Sequence, residues 1–115
     1  MSITAEIKTL LAGTSGLYVG SMPATPDNCV VIYPSGGYPR SLSGTYLEEP
    51  TVMIKVRNLS YTAGETVCEV VKTALHGNST TKALMVEQQG DINDLGRDAN
   101  NRSEFSINFR CYYRK

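Results

Sequence analysis

The apolar positions of this chain repeat with two different periods, and the switches between them mark out its elements. Ile3, Ile7, Leu10 and Leu11 recur at i, i+4, i+7 and i+8, one stripe of an amphipathic helix. Ser2 stands where an N-cap would accept a backbone N–H, and Gly13 where a left-handed residue would end the helix. So short a helix takes its stability from docking onto a sheet rather than from propensity. Leu17 to Gly20 follows as a weak strand. Ser21 to Asn28 reads as a loop, because its two prolines have no N–H to give a ladder. Cys29-Val30-Val31-Ile32-Tyr33 is a β-branched apolar run, expected to be a strand central in the sheet.

Alternation returns at Thr51 to Arg57, with Val52, Ile54 and Val56 on one face and Met53, Lys55 and Arg57 on the other. After a turn over Asn58 to Tyr61, Thr62-Ala63-Gly64-Glu65 matches a capping box and predicts a helix beginning at Thr62. Ala63, Val67, Val70, Val71, Ala74 and Leu75 form its expected buried stripe, and Gly77 its end. Lys82 to Gln89 is a further strand, with Ala83, Met85 and Glu87 opposed to Leu84, Val86 and Gln88. A polar turn region over Gly90 to Arg102 then leads into the clearest strand. There Phe105, Ile107, Phe109, Cys111 and Tyr113 point one way, and Glu104, Ser106, Asn108, Arg110 and Tyr112 the other. Two helices and about five strands predict one α+β domain over residues 1–115, a mainly antiparallel sheet with both helices on one face.

One stretch obeys neither period. Pro34 to Pro50 holds three prolines and three glycines, with Tyr38, Arg40, Leu42, Tyr46 and Leu47 scattered among them. A loop of that length in a compact domain is functional or disordered. Its aromatic and leucine content argues for a segment that folds onto a surface, that of a neighbouring subunit included.

Composition narrows the class more than it identifies a task. At 115 residues the chain makes one domain able to bury a core without staples. Eleven basic residues balance eleven acidic ones, so no general attraction to nucleic acid or anionic membrane is expected. The same neutrality leaves little charge repulsion to oppose self-association. Cys29, Cys68 and Cys111 are odd in number and include no CxxC pair, which argues against a disulfide framework and a zinc site and for small buried hydrophobes. No basic region precedes an apolar run at the N-terminus, and no apolar run is long enough to span a bilayer. The expectation is a soluble chain, cytosolic or carried on a particle.

Candidate chemistry is sparse. His76 is the only histidine and follows the last apolar residue of the second helix, where a proton would suit the helix C-terminus. Asp91-Ile92-Asn93-Asp94-Leu95-Gly96 has the glycine of a calcium loop, but Leu95 and Arg102 stand at its fifth and twelfth positions, where oxygen ligands are required. Ser35-Gly36-Gly37 lacks the lysine and following helix of a phosphate loop. No catalytic, metal or cofactor site is therefore expected, and no enzyme. Arg97, Asp98 and Arg102 allow two readings. Asp98 bonds its own backbone while the arginines sit in water, or the arginines make bidentate contacts across a protein interface.

Gly96-Arg97-Asp98 followed by Asn101-Arg102-Ser103-Glu104-Phe105-Ser106-Ile107-Asn108-Phe109 resembles the small tail terminator proteins of long-tailed bacteriophages, often labelled minor capsid proteins in phages and prophages of Gram-positive bacteria. Pro50 to Arg57, Tyr61-Thr62-Ala63-Gly64 and Pro26-Asp27-Asn28 support the likeness, and the order of elements agrees over nearly the whole chain. The resemblance implies an α+β protomer that closes into a hexameric ring on the tail tube, ends tube growth and offers the surface that joins the head. It implies a virion protein assembled in the host cytoplasm, with the tail tube protein, a head–tail connector and its own copies as partners. It implies no cofactor and no membrane, and DNA only as it passes through the ring. A head-completion or connector protein on the portal side of the neck is the alternative. Under the resemblance, Arg97, Asp98 and Arg102 become intersubunit or tube-facing contacts, and Tyr38, Arg40, Tyr46 and Leu47 cover a neighbour.

Overall fold

The computed structural model of the chain describes residues 3–12, 16–24, 27–37, 47–79 and 83–114. In chain order the elements are α1 (Ile3–Leu10), β1 (Leu17–Val19), β2 (Cys29–Gly37), β3 (Leu47–Glu48), β4 (Pro50–Asn58), α2 (Tyr61–Leu75), β5 (Ala83–Arg97) and β6 (Ser103–Arg114). Six strands make one sheet in the order β1-β2-β4-β6, with β5 and β3 both paired to β6. Tyr113 of β6 is opposite Glu48 of β3 and also opposite Ala83 of β5, so β3 continues the line of β4 and the sheet is five strands wide.

The sheet is mixed, which corrects the mainly antiparallel one expected. β1 runs parallel to β2, with Leu17 opposite Val30, while the other pairings are antiparallel. The alternation of a three-residue strand carries no record of its direction, so its sequence could not show this.

Both helices pack on one face, as the periods predicted. The antiparallel register lines up Val30, Val56 and Phe105 as one row across β2, β4 and β6, and Ile32, Ile54 and Ile107 as the next. Val52 opposes Phe109 one row further on. Ile7 and Leu11 from the α1 end, and Cys68, Val71 and Leu75 from α2, close over these rows in one buried cluster with Val86 of β5. Each fully buried aliphatic or phenylalanine side chain contributes roughly 1.5–3 kcal/mol relative to exposure. Cys29, Cys68 and Cys111 are buried as free thiols, in line with the reading of small hydrophobes. Burial pushes the Cys68 thiol up to about 12 and that of Cys111 up to about 11.

Helix α2 starts earlier and turns a different face inward than its sequence implied. Ser60 is the N-cap, its Oγ accepting the Ala63 N–H at 3.3 Å, so the capping box expected at Thr62 lies inside the helix. The buried face is Gly64, Cys68, Val71 and Leu75. Ala63 and Val70 of the expected stripe are exposed, and Val67 and Ala74 lie at its margin. The rotation follows from Gly64, which lets the helix approach Phe105 more closely than any side chain would allow. A Cβ built there would lie 2.6 Å from the Phe105 ring. That ring is also held on its other contacts by Tyr61, 5.2 Å away between centroids.

The segments read as loops contain more strand than their composition suggested. β2 runs on through Pro34 to Gly37, with a register shift that places Gly37 opposite Pro50. Ser35 Oγ and Thr51 Oγ1 are hydrogen-bonded at 2.8 Å beside that shift. β5 continues through the supposed turn region to Arg97, accommodating its glycines and aspartates by register shifts after Gln89 and after Asp94. The C-terminal end of α2 protects the outer edge of this long strand. Gly77, at φ 78, ends the helix and donates to Val86 C=O at 2.8 Å, Val86 N–H returns a bond to Asn78 C=O, and Gln88 N–H donates to His76 Nδ1 at 3.0 Å. His76 thus joins the helix end to the sheet. Ser2, Gly13 and residues 38–46 lie outside the described residues.

Replacing Gly64 by alanine tests the close approach. Helix propensity alone favours alanine by about 1 kcal/mol, whereas overpacking a filled core costs about 1–3 kcal/mol. Gly64→Ala is expected to lower the urea midpoint, with the fluorescence of Tyr61 altered. A raised midpoint would show that Phe105 has room to move.

Candidate interaction surfaces

The turn between β5 and β6 is built around one carboxylate. Asp98 Oδ1 accepts the N–H groups of Asn100 and Arg102, each at 2.9 Å, while the Asp98 N–H donates to Arg102 C=O at 3.0 Å. This lets Asn101 hold φ 61, a left-handed conformation that asparagine tolerates better than most residues. Asp98 Oδ2 then receives Arg102 Nε at 2.8 Å. The Arg102 backbone N–H is the main influence holding the Asp98 carboxyl below the usual range. Partial desolvation opposes it, and the Arg102 guanidinium and Asn100 N–H reinforce it.

Arg102 itself is 6% exposed and points into its own subunit. Its Nη1 donates to Ala24 C=O at 2.8 Å and lies 3.3 Å from Asp27 Oδ1. Arg57, 4% exposed, reaches the same loop, with Nε donating to Asp27 C=O at 3.1 Å and Nη2 to Pro23 C=O at 2.7 Å. Two guanidinium groups, one from β4 and one from the β5–β6 turn, therefore take up backbone acceptors of the β1–β2 connection and hold it against the sheet. A planar, permanently charged fork is the side chain suited to this task.

The residues singled out by sequence thus separate. Asp98 and Arg102 meet each other, with Asp98 bonding its own backbone as one reading held and Arg102 lying neither in water nor at the surface. Arg97 is exposed and donates Nη1 to Asn101 C=O at 2.9 Å. Tyr38, Arg40 and Tyr46 lie outside the described residues, and only the backbone of Leu47 is described, in β3. Arg57 was missed, because an arginine on the polar face of a half-buried strand looks like any solvated charge.

The calcium-like stretch is strand, and its carboxylates serve the fold. Asp94 accepts the Tyr61 hydroxyl at 3.2 Å and the Gly96 N–H at 2.8 Å. Asp91 accepts Ile92 N–H at 2.7 Å and pairs with Lys72 at 3.3 Å.

A second surface lies between the helices and, at Asn28 and Arg57, adjoins the corner that the two arginines hold. Between the end of α1 and the middle of α2 a cleft of about 590 Å³ opens over the first residues of β2 and the last of β4. Leu10, Val67, Val70 and Ala74 wall it, Val30 and Val56 lie beneath, and Asn28, Asn58 and Thr66 edge it. Val70 is 54% exposed. The sequence held a signal for this: the stripe of six apolar positions on α2 is wider than one buried face needs, and the surplus became the cleft wall.

Two outcomes test the turn. The native carboxyl of Asp98 titrates below its unfolded value near ~3.9, so its stabilisation is complete above that pH and is lost as pH falls through the lower native value. Asp98→Asn, which keeps an acceptor but not the charge, should flatten the acid limb of the stability profile. An unchanged limb would refute this assignment. Arg102→Met should lower the thermal midpoint far more than Arg97→Met, since it leaves Asp98 Oδ2 without its donor and Ala24 C=O with only a long contact to Arg57; equal losses would mean the clamp contributes nothing.

Comparison with known proteins gives a family and a fold. A family model described as "Bacteriophage tail terminator protein" matches residues 6–115. No curated protein sequence matches the chain. Among solved structures, a chain in the virion of a native gene transfer agent particle superposes with a TM-score of 0.69 at 10% identity, covering 99% of this chain and 96% of that one. At that identity the likeness concerns the fold. The family match covers nearly the whole sequence, so the chain belongs to the bacteriophage tail terminator family, structural proteins of the phage tail.

Proposed function

We propose that the protein closes into a ring, hexameric as its resemblance implies, that caps the tail tube, ends its polymerisation and presents the surface that joins the head. The family match over residues 6–115 carries this reading. A virion particle containing a chain of the same fold supports a place on the particle. Ring closure by heterologous contacts needs two different patches on each subunit. The β5–β6 turn and the cleft beside α2 are separate surfaces of that kind.

Within the ring, Arg97 makes the intersubunit or tube contact of the turn, because its guanidinium is at the surface. Asp98 and Arg102 contribute by fixing the turn that presents it. Tyr38, Arg40, Tyr46 and Leu47 cover a neighbouring subunit. Tail tube protein and a head–tail connector bind opposite faces of the ring. Assembly takes place in the host cytoplasm, and DNA passes through the lumen without sequence readout.

Electron microscopy of the purified protein mixed with tail tubes is the direct test. A ring at one end of each tube is expected, with Arg97→Ala reducing the fraction of capped tubes while leaving the thermal midpoint unchanged. Density only on the portal side of the neck in whole particles would instead make this a connector protein.

A further inference from the structure

We infer that His76 is a proton-operated latch on the outer edge of β5: the neutral imidazole fastens the end of α2 to Gln88, and the imidazolium lets the Gln88 N–H go. The inference concerns contacts within one subunit and does not depend on the ring reading. Helix α2 ends with His76 as its C-cap, the His76 N–H donating to Lys72 C=O at 2.9 Å. Three bonds then tie the outgoing chain to β5. Gly77 N–H donates to Val86 C=O at 2.8 Å, Val86 N–H to Asn78 C=O at 3.0 Å, and Gln88 N–H to His76 Nδ1 at 3.0 Å. The first two join amides, which do not titrate. The third ends on a ring nitrogen, and it alone answers to pH.

An imidazole nitrogen accepts a hydrogen bond only while it carries no proton. With Nδ1 accepting from Gln88, the neutral ring keeps its proton on Nε2. Protonating Nδ1 sets two N–H groups against each other, and the ring, which is exposed, turns out into water. A cation at a helix C-terminus is electrostatically welcome, so the loss falls on the Gln88 bond. The charged groups on the elements packed here are engaged elsewhere. Lys72 of α2 lies 3.5 Å from Glu69 and 3.3 Å from Asp91 of β5. Glu87 of β5 accepts Gln89 Nε2 at 2.8 Å and stands opposite Arg110 of β6. Lys82 lies outside the described residues. Among the described residues no carboxylate pairs with His76, so none holds the imidazolium in place of the lost bond. What the latch guards is a strand edge. β5 pairs with β6 on one side, and the α2 end occupies the other side at Val86 and Gln88. Turning His76 away uncovers one edge donor of the kind that the carbonyl of another extended chain takes up. Release begins at Gln88 and leaves the two amide bonds at Val86 in place.

Amide hydrogen exchange read by NMR tests the latch residue by residue, from pH ~8 to pH ~5, across the free imidazole value near ~6.5. His76 is the only histidine, so its ring resonances report the one imidazole titration. The bond is present above that range and lost as pH falls through it. The protection factor of Gln88, corrected for the intrinsic pH dependence of exchange, should fall about fivefold in step with the ring, as losing one net hydrogen bond does. Val86, held by Asn78 C=O, should keep its protection and serves as the control. His76→Asn offers an acceptor that does not titrate and should leave Gln88 protected at every pH. His76→Phe keeps a ring without the nitrogen and should leave Gln88 poorly protected at every pH. Position 76 is exposed, and wild-type thermal midpoints at neutral pH would show that both variants fold. Gln88 protection that ignores the His76 titration, or that falls only together with Val86, overturns the inference. So does an acid response that survives in His76→Asn, or full protection of Gln88 in His76→Phe.

Discussion

Strand β6 is flanked along its length and covered on one face, and the rest of the molecule is arranged by the need to bury that face. Phe105, Ile107, Phe109 and Cys111 are all at most 1% exposed. Their alternation fixes the register of β4 and β5, because a slip of one residue would turn every one of them out into solvent. The same rows decide where α2 lies. It can sit low over Phe105 only through Gly64, and doing so rolls Val70 outward, which opens the cleft beside α1. A packing demand in the core therefore creates a surface feature on the far side of the helix.

The opposite face solves a different problem. Two arginines are nearly excluded from water there, a costly arrangement unless each donor finds a partner. Arg57 and Arg102 meet that condition with backbone carbonyls and the carboxylates of Asp27 and Asp98, which need no second buried layer of side chains. The effect is to join the β1–β2 connection, the end of β4 and the β5–β6 turn into one rigid corner. Arg97 stands on that corner. Its position is set by residues that do not themselves face outward, which explains how Arg97, Asp98 and Arg102 can sit together in sequence and yet do different things.

Much of this was legible in advance because periodicity reports burial directly. The odd residues of β6, the even residues of β4, both helices and their common face could be read from spacing alone. What escaped had no periodic trace. The direction of β1 depends on a partner nine residues beyond it, and the N-cap at Ser60 competed with a better-looking motif at Thr62. β5 ran through Gly90, Asp91, Asp94 and Gly96, residues that mark turns in isolation but that register shifts admit to an edge strand. Arg102 was visible as a residue of interest, but whether a guanidinium turns inward depends on carbonyls at Pro23 and Ala24, far away in sequence. The family likeness drew attention to this turn, and only the fold could separate the buried Arg102 from the exposed Arg97.

The edges of the sheet bear on how such a subunit can associate. An open strand edge is a template for adding another chain, and a chain that must avoid unplanned sheet growth is poorly served by one. Along β5 the α2 end covers Val86 to Gln88, and Asp91 and Asp94 satisfy the N–H groups of Ile92 and Gly96 from their own strand. β1, at the other edge, offers only three residues. Continuous strand addition is thus disfavoured on both sides, and association is left to side-chain surfaces. Those surfaces differ from one another, one an apolar cleft and the other a polar corner. Neutral net charge lets them approach without a long-range barrier. A chain with edges blunted in this way has no ready means of extending its sheet into a neighbour's.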